Sequence, residues 1–312
     1  MHEIRTLGVV LHPRRDSTEA VNTVLRWADD RGVKVFGLAE EVGRLDCRAV
    51  VVPAAAMAAQ ADLLVAMGGD GTVLRAMRLA DGCRAPVLGV NLGKLGFLAE
   101  VDIPDLAAAL TAIGAGTYEI EVRTALDATI GAQQLTAFND VVIVRVPGDG
   151  TAAIDLSVEG HHFVSYAGDA VIVSTPTGST AYNFSAGGPI VAPSVPGILV
   201  TPSSPHSVFN RSVMIDHRHT LSLAILPSSG RLAVEVDGLV ATHVTAGDTV
   251  VLTARSDGAQ VVRLGRTTFY QRAQRKLGVF GSTELDTSQS PVAPPGPAPA
   301  RPGVEPAPLP DI

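Results

Sequence analysis

A glycine-rich turn that contains one acid lies between an apolar run and a helical pattern in the segment ADLLVAMGGDGTVLR. The members of this turn are Gly68, Gly69, Asp70, Gly71 and Thr72. Glycines can take a positive φ and let backbone N–H groups approach an anion without interference from a Cβ atom. The start of a helix also favours negative charge, and we expect Thr72 to be the N-cap of the helix TVLRAMRLA. The turn is therefore predicted to bind phosphate.

Asp70 is the residue that a phosphate-binding turn alone does not explain. A carboxylate near phosphates costs electrostatic energy unless a metal ion or a hydroxyl proton compensates it. An aspartate is ordinarily ionised at neutral pH, so it can accept a proton or coordinate Mg²⁺ through oxygen. Either role suits phosphoryl transfer. The alternative is a Gly/Asp turn without function, which is common in loops.

A second group of polar residues surrounds two apolar strands later in the chain. Asn139 and Asp140 precede VVIVR, and taken alone they are an ordinary turn before a strand. Asp169 precedes the apolar run AVIV, which leads into STPTGSTAYNFSAGG. Hydroxyls, free backbone N–H groups and one aromatic ring in this loop suit ribose, phosphate oxygens and a stacked base. A solvated Ser/Thr loop is the alternative.

Other chemical signals in the sequence are weaker. There is no G-x-x-x-x-G-K-[ST] loop, and the glycines of GVNLGKLGFL do not match the G-x-G-x-x-G fingerprint. His206, beside Arg211, is a candidate polar contact. His161 and His162 lie at a predicted hairpin turn without partners at metal-ligand spacing. Ser179 is not in a G-x-S-x-G motif and is therefore a poor candidate for a hydrolase nucleophile.

The elements that must position these residues change character along the chain. The runs TLGVVL, VKVFGLA, DLLVAM and APVLGVN alternate with helical patterns such as STEAVNTVLRWADDRG, which predicts a parallel sheet with covering helices. After the helical segment DIPDLAAALTAIGAG, short alternating strands separated by turn residues predict a sandwich-like all-β domain. Helical character returns at FYQRAQRKLGVF. We expect that helix to pack back on the first domain.

We expect four segments in this chain. They are an α/β domain over 1–108, a β domain over 109–266, a helix over 267–284 that packs on the first domain, and a disordered proline-rich tail over 285–312. The α/β domain would carry the phosphate-donor and catalytic turn.

Composition narrows the class of protein further. A net charge of −7 argues against a broad nucleic-acid-binding surface, although a local cationic pocket is compatible with it. Cys47 and Cys83 are too few for a disulfide framework, which fits a reducing cytoplasm. No apolar run approaches the length of a membrane span. A cytoplasmic enzyme or binding protein without membrane or nucleic-acid partners is the expectation.

Five segments together resemble the NAD kinase family. GGDGTVLRAMR, GVNLGKLGFLAEV, AFNDVVIV, STPTGSTAYNFSAGGPIVAP and TPSSPHSVFNR occur in the order and approximate spacing of that family, over residues 5–280. The GGDGT element is shared with diacylglycerol-type lipid kinases, whereas its combination with TPTGSTAY is highly specific. The resemblance implies phosphorylation of the 2′-hydroxyl of the adenosine ribose of NAD to make NADP. ATP or polyphosphate would be the donor, and Mg²⁺ would be carried by the donor.

The resemblance also implies a phosphofructokinase-like α/β domain, a C-terminal β domain, and a homodimer or homotetramer with NAD between domains near a subunit interface. Asp70 would be the proton acceptor and would contact NAD. The other implied NAD contacts are Gly71, Arg75, Asn139, Asp140, Asp169, Thr180, Ala181, Tyr182 and Ser185. The candidate phosphate-binding residues are Gly68, Gly69, Gly71 and Thr72, and His206 is a further candidate contact.

Three departures from the family pattern concern the NAD contacts. Ala170 follows Asp169 where glycine is frequent, Leu239 follows VDG where glutamine is common, and Ser212 follows Arg211 where proline is usual. The donor and the choice between NAD and NADH stay open. One alternative is a lipid kinase of the diacylglycerol type, which would leave TPTGSTAY unexplained. The other is a non-catalytic NAD or NADP sensor, and the intact acid Asp70 argues against that sensor.

Overall fold

The computed structural model describes most of the chain before the proline-rich tail. The described residues are 4–45, 47–93, 96–207 and 209–279. The expected tail 285–312, and the end of the predicted helical segment 267–284, lie outside them. The described residues up to Gly278 belong to one compact unit.

The first part of the chain alternates strands and helices. Its elements are β1 (Thr6–Leu11), α1 (Thr18–Asp29), β2 (Lys34–Gly37), α2 (Ala39–Leu45), β3 (Val50–Val51), α3 (Ala54–Gln60), β4 (Leu63–Met67), α4 (Asp70–Ala80), β5 (Val87–Asn91), β6 (Val101–Asp102) and α5 (Leu106–Gly114). Strands β3, β2, β1, β4 and β5 lie side by side in that order and are all parallel. The predicted parallel sheet with helices is confirmed.

Strand ends position the glycine turn. Strand β4 is buried along its whole length, as is typical of a parallel strand covered on both faces. The N–H of His12, just after β1, donates to the carbonyl of Met67 at 2.9 Å, and the N–H of Gly68 donates to Val90 at 2.9 Å. The residues that follow β1, β4 and β5 therefore meet at the carboxyl edge of the sheet, where open α/β sheets bind ligands.

The second part of the chain is built of antiparallel strands. Its elements are β7 (Glu119–Ile130), β8 (Gln133–Ala137), β9 (Asp140–Arg145), β10 (Ala152–Val158), β11 (His161–Gly168), β12 (Ala170–Ser174), α6 (Tyr182–Ser185), β13 (Gly197–Ser203), β14 (Val213–Asp216), β15 (Leu221–Ile225), β16 (Leu232–Val236), β17 (Leu239–Val244), β18 (Thr249–Arg263) and α7 (Phe269–Leu277). One sheet has the order β14-β13-β12-β9-β16-β17. Strands β11, β10, β15, β18, β7 and β8 form the opposing layer.

The two layers enclose an apolar core that includes Leu126, Ile143, Ile154 and Val171. This is the predicted β sandwich. Strand β18 continues beyond the sandwich and pairs in parallel with β5, so the second layer is continuous with the parallel sheet. The strands that the sequence did not predict include β8, β13, β14 and β17, whose polar, proline-containing or exposed residues give no clear alternation.

Helix α7 returns to the first part of the chain, as predicted. Thr268 and Gln271 form a reciprocal capping box at its start, and Gly278 ends it at a φ of 62°. Arg272 reaches Glu100 at 2.9 Å, and the ring of Phe269 lies 6.4 Å from that of Phe97. Within the described residues, every helix is too short or too polar to cross a bilayer.

Candidate active site

The glycine turn leads directly into helix α4. Asp70 is the first residue of that helix, and Gly69 is its N-cap with φ −85° and ψ −172°. The prediction that Thr72 is the N-cap was wrong, because Thr72 lies inside the first turn and is buried. Its side chain packs against Gly68, where a Cβ atom would stand 2.7 Å from the Cβ of Thr72. Close packing explains this glycine.

Positive φ angles do not explain the glycines of this turn. The structure describes Gly68, Gly69 and Gly71, and none of them has a positive φ. Two of these glycines instead provide open space. A Cβ atom at Gly69 or at Gly71 would have nothing within 4 Å. The first N–H groups of a helix have no intrahelical acceptor, so this opening exposes donors to an anion.

The carboxylate of Asp70 has three donors around it. The N–H of Phe97 reaches Oδ2 at 3.0 Å, and the N–H of Leu98 reaches Oδ1 at 3.0 Å. Lys276 of α7 places its Nζ 3.1 Å from Oδ2. The side chain of Asp70 is 26% exposed and open to a substrate. Sequence reasoning missed Lys276, because the pattern of its helix indicated packing alone.

A cationic cleft of about 350 Å³ lies beside the turn. Its lining residues are His12, Pro13, Arg15, Gly69, Gly71, Thr72, Arg75, Arg78 and Leu239. Burial lowers the pKa of His12, and the charges of nearby arginines, Arg15 and Arg44 foremost, lower it further. This cluster concentrates positive charge on a chain whose net charge is −7. The segment HPRR directly after the first strand was the sequence signal for it.

Arg75, an implied NAD contact, lies in this cleft. Its Nη2 donates to the carbonyl of Leu11 at 2.6 Å and pairs with the buried carboxylate of Glu41. These bonds orient the guanidinium, of which about a third is exposed. Leu239, one of the departures, lines the same cleft.

The turn before β9 is held by Asp237, which sequence reasoning missed. The carboxylate of Asp237 accepts the N–H groups of Phe138 at 3.0 Å, Asn139 at 2.7 Å and Asp140 at 3.3 Å. It is fully buried, and Arg78 of α4 lies 3.5 Å from it. Asp237 has a φ of 48°, which is uncommon for a residue with a side chain. The VDG segment after β16 was the available signal.

Asp140 is buried close to other acids. Burial raises its pKa to about 7, and the charges of Asp237 and Glu235 add to this effect. A hydrogen bond from the backbone N–H of Tyr182 acts in the opposite direction. The implied NAD contacts Asp140 and Tyr182, 42 positions apart in the numbering, are therefore neighbours.

Many hydroxyls of the STPTGSTAY loop, called the hydroxyl loop below, make hydrogen bonds inside the protein and stabilise the fold. Thr175 donates to the carbonyl of Phe138 at 2.6 Å and accepts the N–H of Gly178 at 3.1 Å. Ser179 exchanges hydrogen bonds of 3.0 Å with the backbone of Val191. Both hydroxyls are buried. The members of the loop that retain exposed surface include Thr180, Ala181, Tyr182 and Ser185.

The loop and the turn before β9 form one unit. The N–H of Thr175 donates to the carbonyl of Asn139 at 2.9 Å. A Cβ atom at Gly178 would stand 2.7 Å from the Cα of Asn139, so glycine permits this approach. Arg78 then connects the unit, through Asp237, to the helix that begins at Asp70. Arg78 follows Asp70 by eight positions, which is about 12 Å along the helix axis at 1.5 Å per residue.

Asp169 and His206 lie near the end of β12 that is farther from Asp140. Strand β12 pairs Ser174 with Asp140, whereas Asp169 precedes the opposite end of that strand, roughly 17 Å away at about 3.4 Å per residue. A hydrogen bond from Arg145 is the largest cause that lowers the pKa of Asp169, and the charge of His206 contributes. Within one chain, the fold does not bring Asp169 to Asp140.

The other two departures from the family pattern are Ala170 and Ser212. Ala170 is buried in strand β12. The hydroxyl of Ser212 lies 2.8 Å from that of Thr201, which donates to the buried side chain of Asn183 at 2.6 Å. Ser212 thus belongs to the hydrogen-bond network that supports the hydroxyl loop.

An open helix start, one accessible carboxylate and a cationic cleft at the edge of a parallel sheet suit a phosphotransferase, which binds phosphates and accepts a hydroxyl proton. Comparison with known proteins then gives the family. The profile of the ATP-NAD kinase N-terminal domain matches residues 7–118, and that of the C-terminal domain matches residues 138–264. The chain belongs to the NAD kinase family.

Relatives in sequence agree with this assignment. The NAD kinase of Desulforamulus reducens is 34% identical over 280 residues, which cover 88% of this chain and 97% of that protein. The NAD kinase of Heliobacterium modesticaldum is 41% identical over 223 residues, with 70% and 79% covered. NAD kinase activity follows from membership of this family.

Two solved structures share the fold. Yeast NADH kinase complexed with NADH has a TM-score of 0.81 at 24% identity, and the match covers 92% of this chain and 91% of that one. An NAD kinase from Archaeoglobus fulgidus in complex with ATP has a TM-score of 0.70 at 21% identity, with 88% and 100% covered. The predicted α/β domain with a C-terminal β domain is the fold of these kinases.

Proposed function

We propose that this chain transfers the terminal phosphoryl group of ATP or polyphosphate to the 2′-hydroxyl of the adenosine ribose of NAD, with Asp70 as the proton acceptor. The supporting observation is the position of Asp70. Its carboxylate stands at the start of α4, beside the cationic cleft, and Arg78 of the same helix connects to the turn that carries Asn139 and Asp140. A base between a phosphate site and a nucleoside site suits phosphoryl transfer.

The donor phosphates would occupy the cationic cleft. Backbone N–H groups of Gly69 and Gly71 would bind phosphate oxygens, and the guanidinium groups of Arg15, Arg75 and Arg78 would stabilise their charge. Arg75, an NAD contact by the resemblance, lines this cleft, and in this proposal it contacts both NAD and the donor phosphates. In this proposal residues 1–108 supply the donor site and the base.

NAD would lie along the hydroxyl loop. The carboxylate of Asp140 and the amide of Asn139 offer acceptors and donors for the adenine and its ribose. The accessible residues of the loop would contact the rest of the dinucleotide; they are Thr180, Ala181, Tyr182 and Ser185. Residues 109–266 would supply this site, and the exposed ring of Tyr182 offers a face for stacking.

Asp169 and His206 enter this proposal through a second copy of the chain. Asp169 lies roughly 17 Å from Asp140 along β12 at about 3.4 Å per residue, and His206 lies near Asp169, since its N–H donates to the carbonyl of Ala167. A homodimer or homotetramer can bring both residues to the NAD site of another copy. A cytoplasmic location is proposed with this assembly, on the basis of the free cysteines Cys47 and Cys83.

The reaction requires little covalent chemistry from the protein. The ribose hydroxyl oxygen attacks the terminal phosphorus in line, its proton goes to Asp70, and the bond to the donor's leaving phosphate breaks. The described residues contain no cluster of three acids, histidines or cysteines that could hold a metal ion. One carboxylate beside phosphates fits Mg²⁺ that arrives with the donor. When bound, this ion supplies charge neutralisation at the phosphate oxygens.

A product assay tests the proposal. Purified protein is incubated with NAD, NADH or diacylglycerol, each with Mg-ATP or with Mg-polyphosphate, and each product is separated and measured. NADP is the expected product, and the arms establish the donor and the preference between NAD and NADH. Phosphatidic acid would instead support a lipid kinase. Binding of NAD without NADP or NADPH from either donor would support a sensor, and both outcomes would contradict the proposal.

A further inference from the structure

Lys276 is confined against two residues of the candidate active site. Its Nζ lies 3.1 Å from Oδ2 of Asp70 and 4.6 Å from the centroid of the Phe97 ring. Phe97 also donates its backbone N–H to the same carboxylate oxygen. One residue thus orients the carboxylate through its backbone and the ammonium through its ring, which attracts cations at its face.

The helix that carries Lys276 is anchored to the same segment of chain. Glu100, whose side chain is fully buried, pairs with Arg272 of α7 at 2.9 Å. Glu100 also accepts the N–H of Leu264 at 2.9 Å, just before the helix. Segment 96–100 therefore positions both the donors to Asp70 and the helix that carries Lys276. A lysine on an ordinary surface has no such restraint.

We propose that Lys276 is a catalytic residue whose ammonium contacts the transferring phosphoryl group. This inference rests on the proposed role of Asp70. A hydroxyl that gives its proton to Asp70 lies about 2.7 Å from the carboxylate, and the phosphorus it attacks lies about 3–3.5 Å from the hydroxyl oxygen. An ammonium in contact with the same carboxylate is within reach of the equatorial phosphoryl oxygens.

The charges change in a direction that favours the transition state. Before transfer, the ammonium of Lys276 is paired with the Asp70 carboxylate. During transfer the O–H bond breaks and its proton goes to Asp70, a new O–P bond forms, and the donor P–O bond breaks with its electron pair on the leaving phosphate. Asp70 becomes neutral, so Lys276 loses its competing anion while phosphoryl charge lies beside it. Interactions that strengthen in the transition state raise kcat.

A stabilising role alone predicts a different result. The side chain of Lys276 is 33% exposed and that of Asp70 is 26% exposed, and ion pairs open to solvent contribute little to stability. Removal of a lysine that only held α7 would therefore lower the melting temperature slightly and leave kcat nearly unchanged. The neighbouring Arg275 offers a matched control, since it lies in the same helical turn but lines a different cleft, beside Asp102 and Arg266.

The test compares Lys276→Met, Lys276→Ala and Lys276→Arg with Arg275→Met, using the full chain, NAD and Mg-ATP. We expect Lys276→Met to lower kcat about 10²-fold with a much smaller change in KM for NAD, as for loss of one transition-state contact. Arg275→Met should retain wild-type kcat. Added methylammonium should restore part of the kcat of Lys276→Ala, and Lys276→Arg should retain an intermediate kcat.

A second measurement avoids dependence on turnover. ADP with aluminium fluoride and NAD imitates the transferring phosphoryl group, and its affinity should fall in Lys276→Met but not in Arg275→Met. A wild-type kcat in Lys276→Met, whether or not its melting temperature decreases, would overturn the inference. In that case NADP formation by the wild type would leave the proposed function intact. A wild-type chain that makes no NADP would overturn both.

Discussion

Gly96 lies against the carboxylate of Asp70, and a Cβ atom on Gly96 would stand 2.9 Å from Cγ of Asp70. This close approach lets the next two residues, Phe97 and Leu98, present their N–H groups to the two carboxylate oxygens. A glycine in the segment GVNLGKLGFL is thus part of the proposed base's support. It does not belong to a dinucleotide-binding fingerprint.

Gly96→Ala should displace the Asp70 carboxylate, because the added methyl group occupies its position. Misplacement of a reacting group by about 1 Å costs on the order of 10²-fold in rate, so a fall of that size in kcat is expected. Steady-state kinetics and thermal unfolding would be measured together. Gly43→Ala in α2 is the control, since a Cβ atom there has nothing within 4 Å. Equal kcat in both variants would show that Gly96 does not position Asp70.

Asp70→Asn should remove the proton acceptor and preserve the shape of the side chain. We expect kcat to fall by about 10²–10⁴-fold, which is the usual contribution of a general base. NAD affinity, measured by calorimetry, should change much less. The NH₂ group of asparagine must face at least one of the three donors around this side chain, so a small decrease in melting temperature is expected as well. Turnover near the wild-type rate would exclude Asp70 as the base.

Asp140→Asn should change how stability depends on pH. Burial, together with the charges of Asp237 and Glu235, raises the pKa of Asp140 to about 7 from the ordinary 3.8. Between about pH 4 and pH 7 the folded state binds a proton that the unfolded state has released. The stability from protonated Asp140 is complete below this window and is lost as the pH rises through it.

The asparagine variant has no such proton to lose. Its free energy of unfolding relative to the wild type should therefore increase from about pH 4 to about pH 7, by a few kcal/mol, and then level off. Urea unfolding of both proteins across this range measures the difference. A difference that is constant with pH would contradict the raised pKa.

Asp237→Asn should loosen the turn that carries Asn139 and Asp140. Asparagine keeps an oxygen at the position of Oδ1, which accepts all three N–H groups, but its NH₂ group replaces Oδ2 and then faces two donors, the N–H of Phe138 at 3.2 Å and the guanidinium of Arg78 at 3.5 Å. We expect a loss of about 1–3 kcal/mol in the free energy of unfolding, and a KM for NAD that rises more than kcat falls. Asp248→Asn is the control, because Asp248 caps an exposed turn at Thr245. A decrease in kcat alone would contradict a positioning role.

Much of the fold could be predicted because its signals are local. The run TLGVVL corresponds to β1, and the strongly amphipathic segment after it corresponds to α1. The helices α2 and α3 escaped prediction because seven residues are about two helical turns and show too little of the helical period, and the two-residue strand β3 shows no alternation at all. The N-cap of α4 was misassigned for a related reason. A threonine and a glycine both suit an N-cap, and tertiary packing of Thr72 against Gly68 decided between them.

The sequence by itself determined the chemistry available at the site: an acid among glycines, the asparagine and aspartate before a strand, and a hydroxyl-rich loop. Residue types and turn preferences act over a few positions, so they can be recognised without a fold. Only the tertiary structure decided which groups meet. It brings Lys276 to Asp70 across 206 positions and Arg78 to Asp237 across 159, and it separates Asp169 from Asp140. Such distances depend on how sheets stack and which strand ends coincide, and no local pattern encodes that.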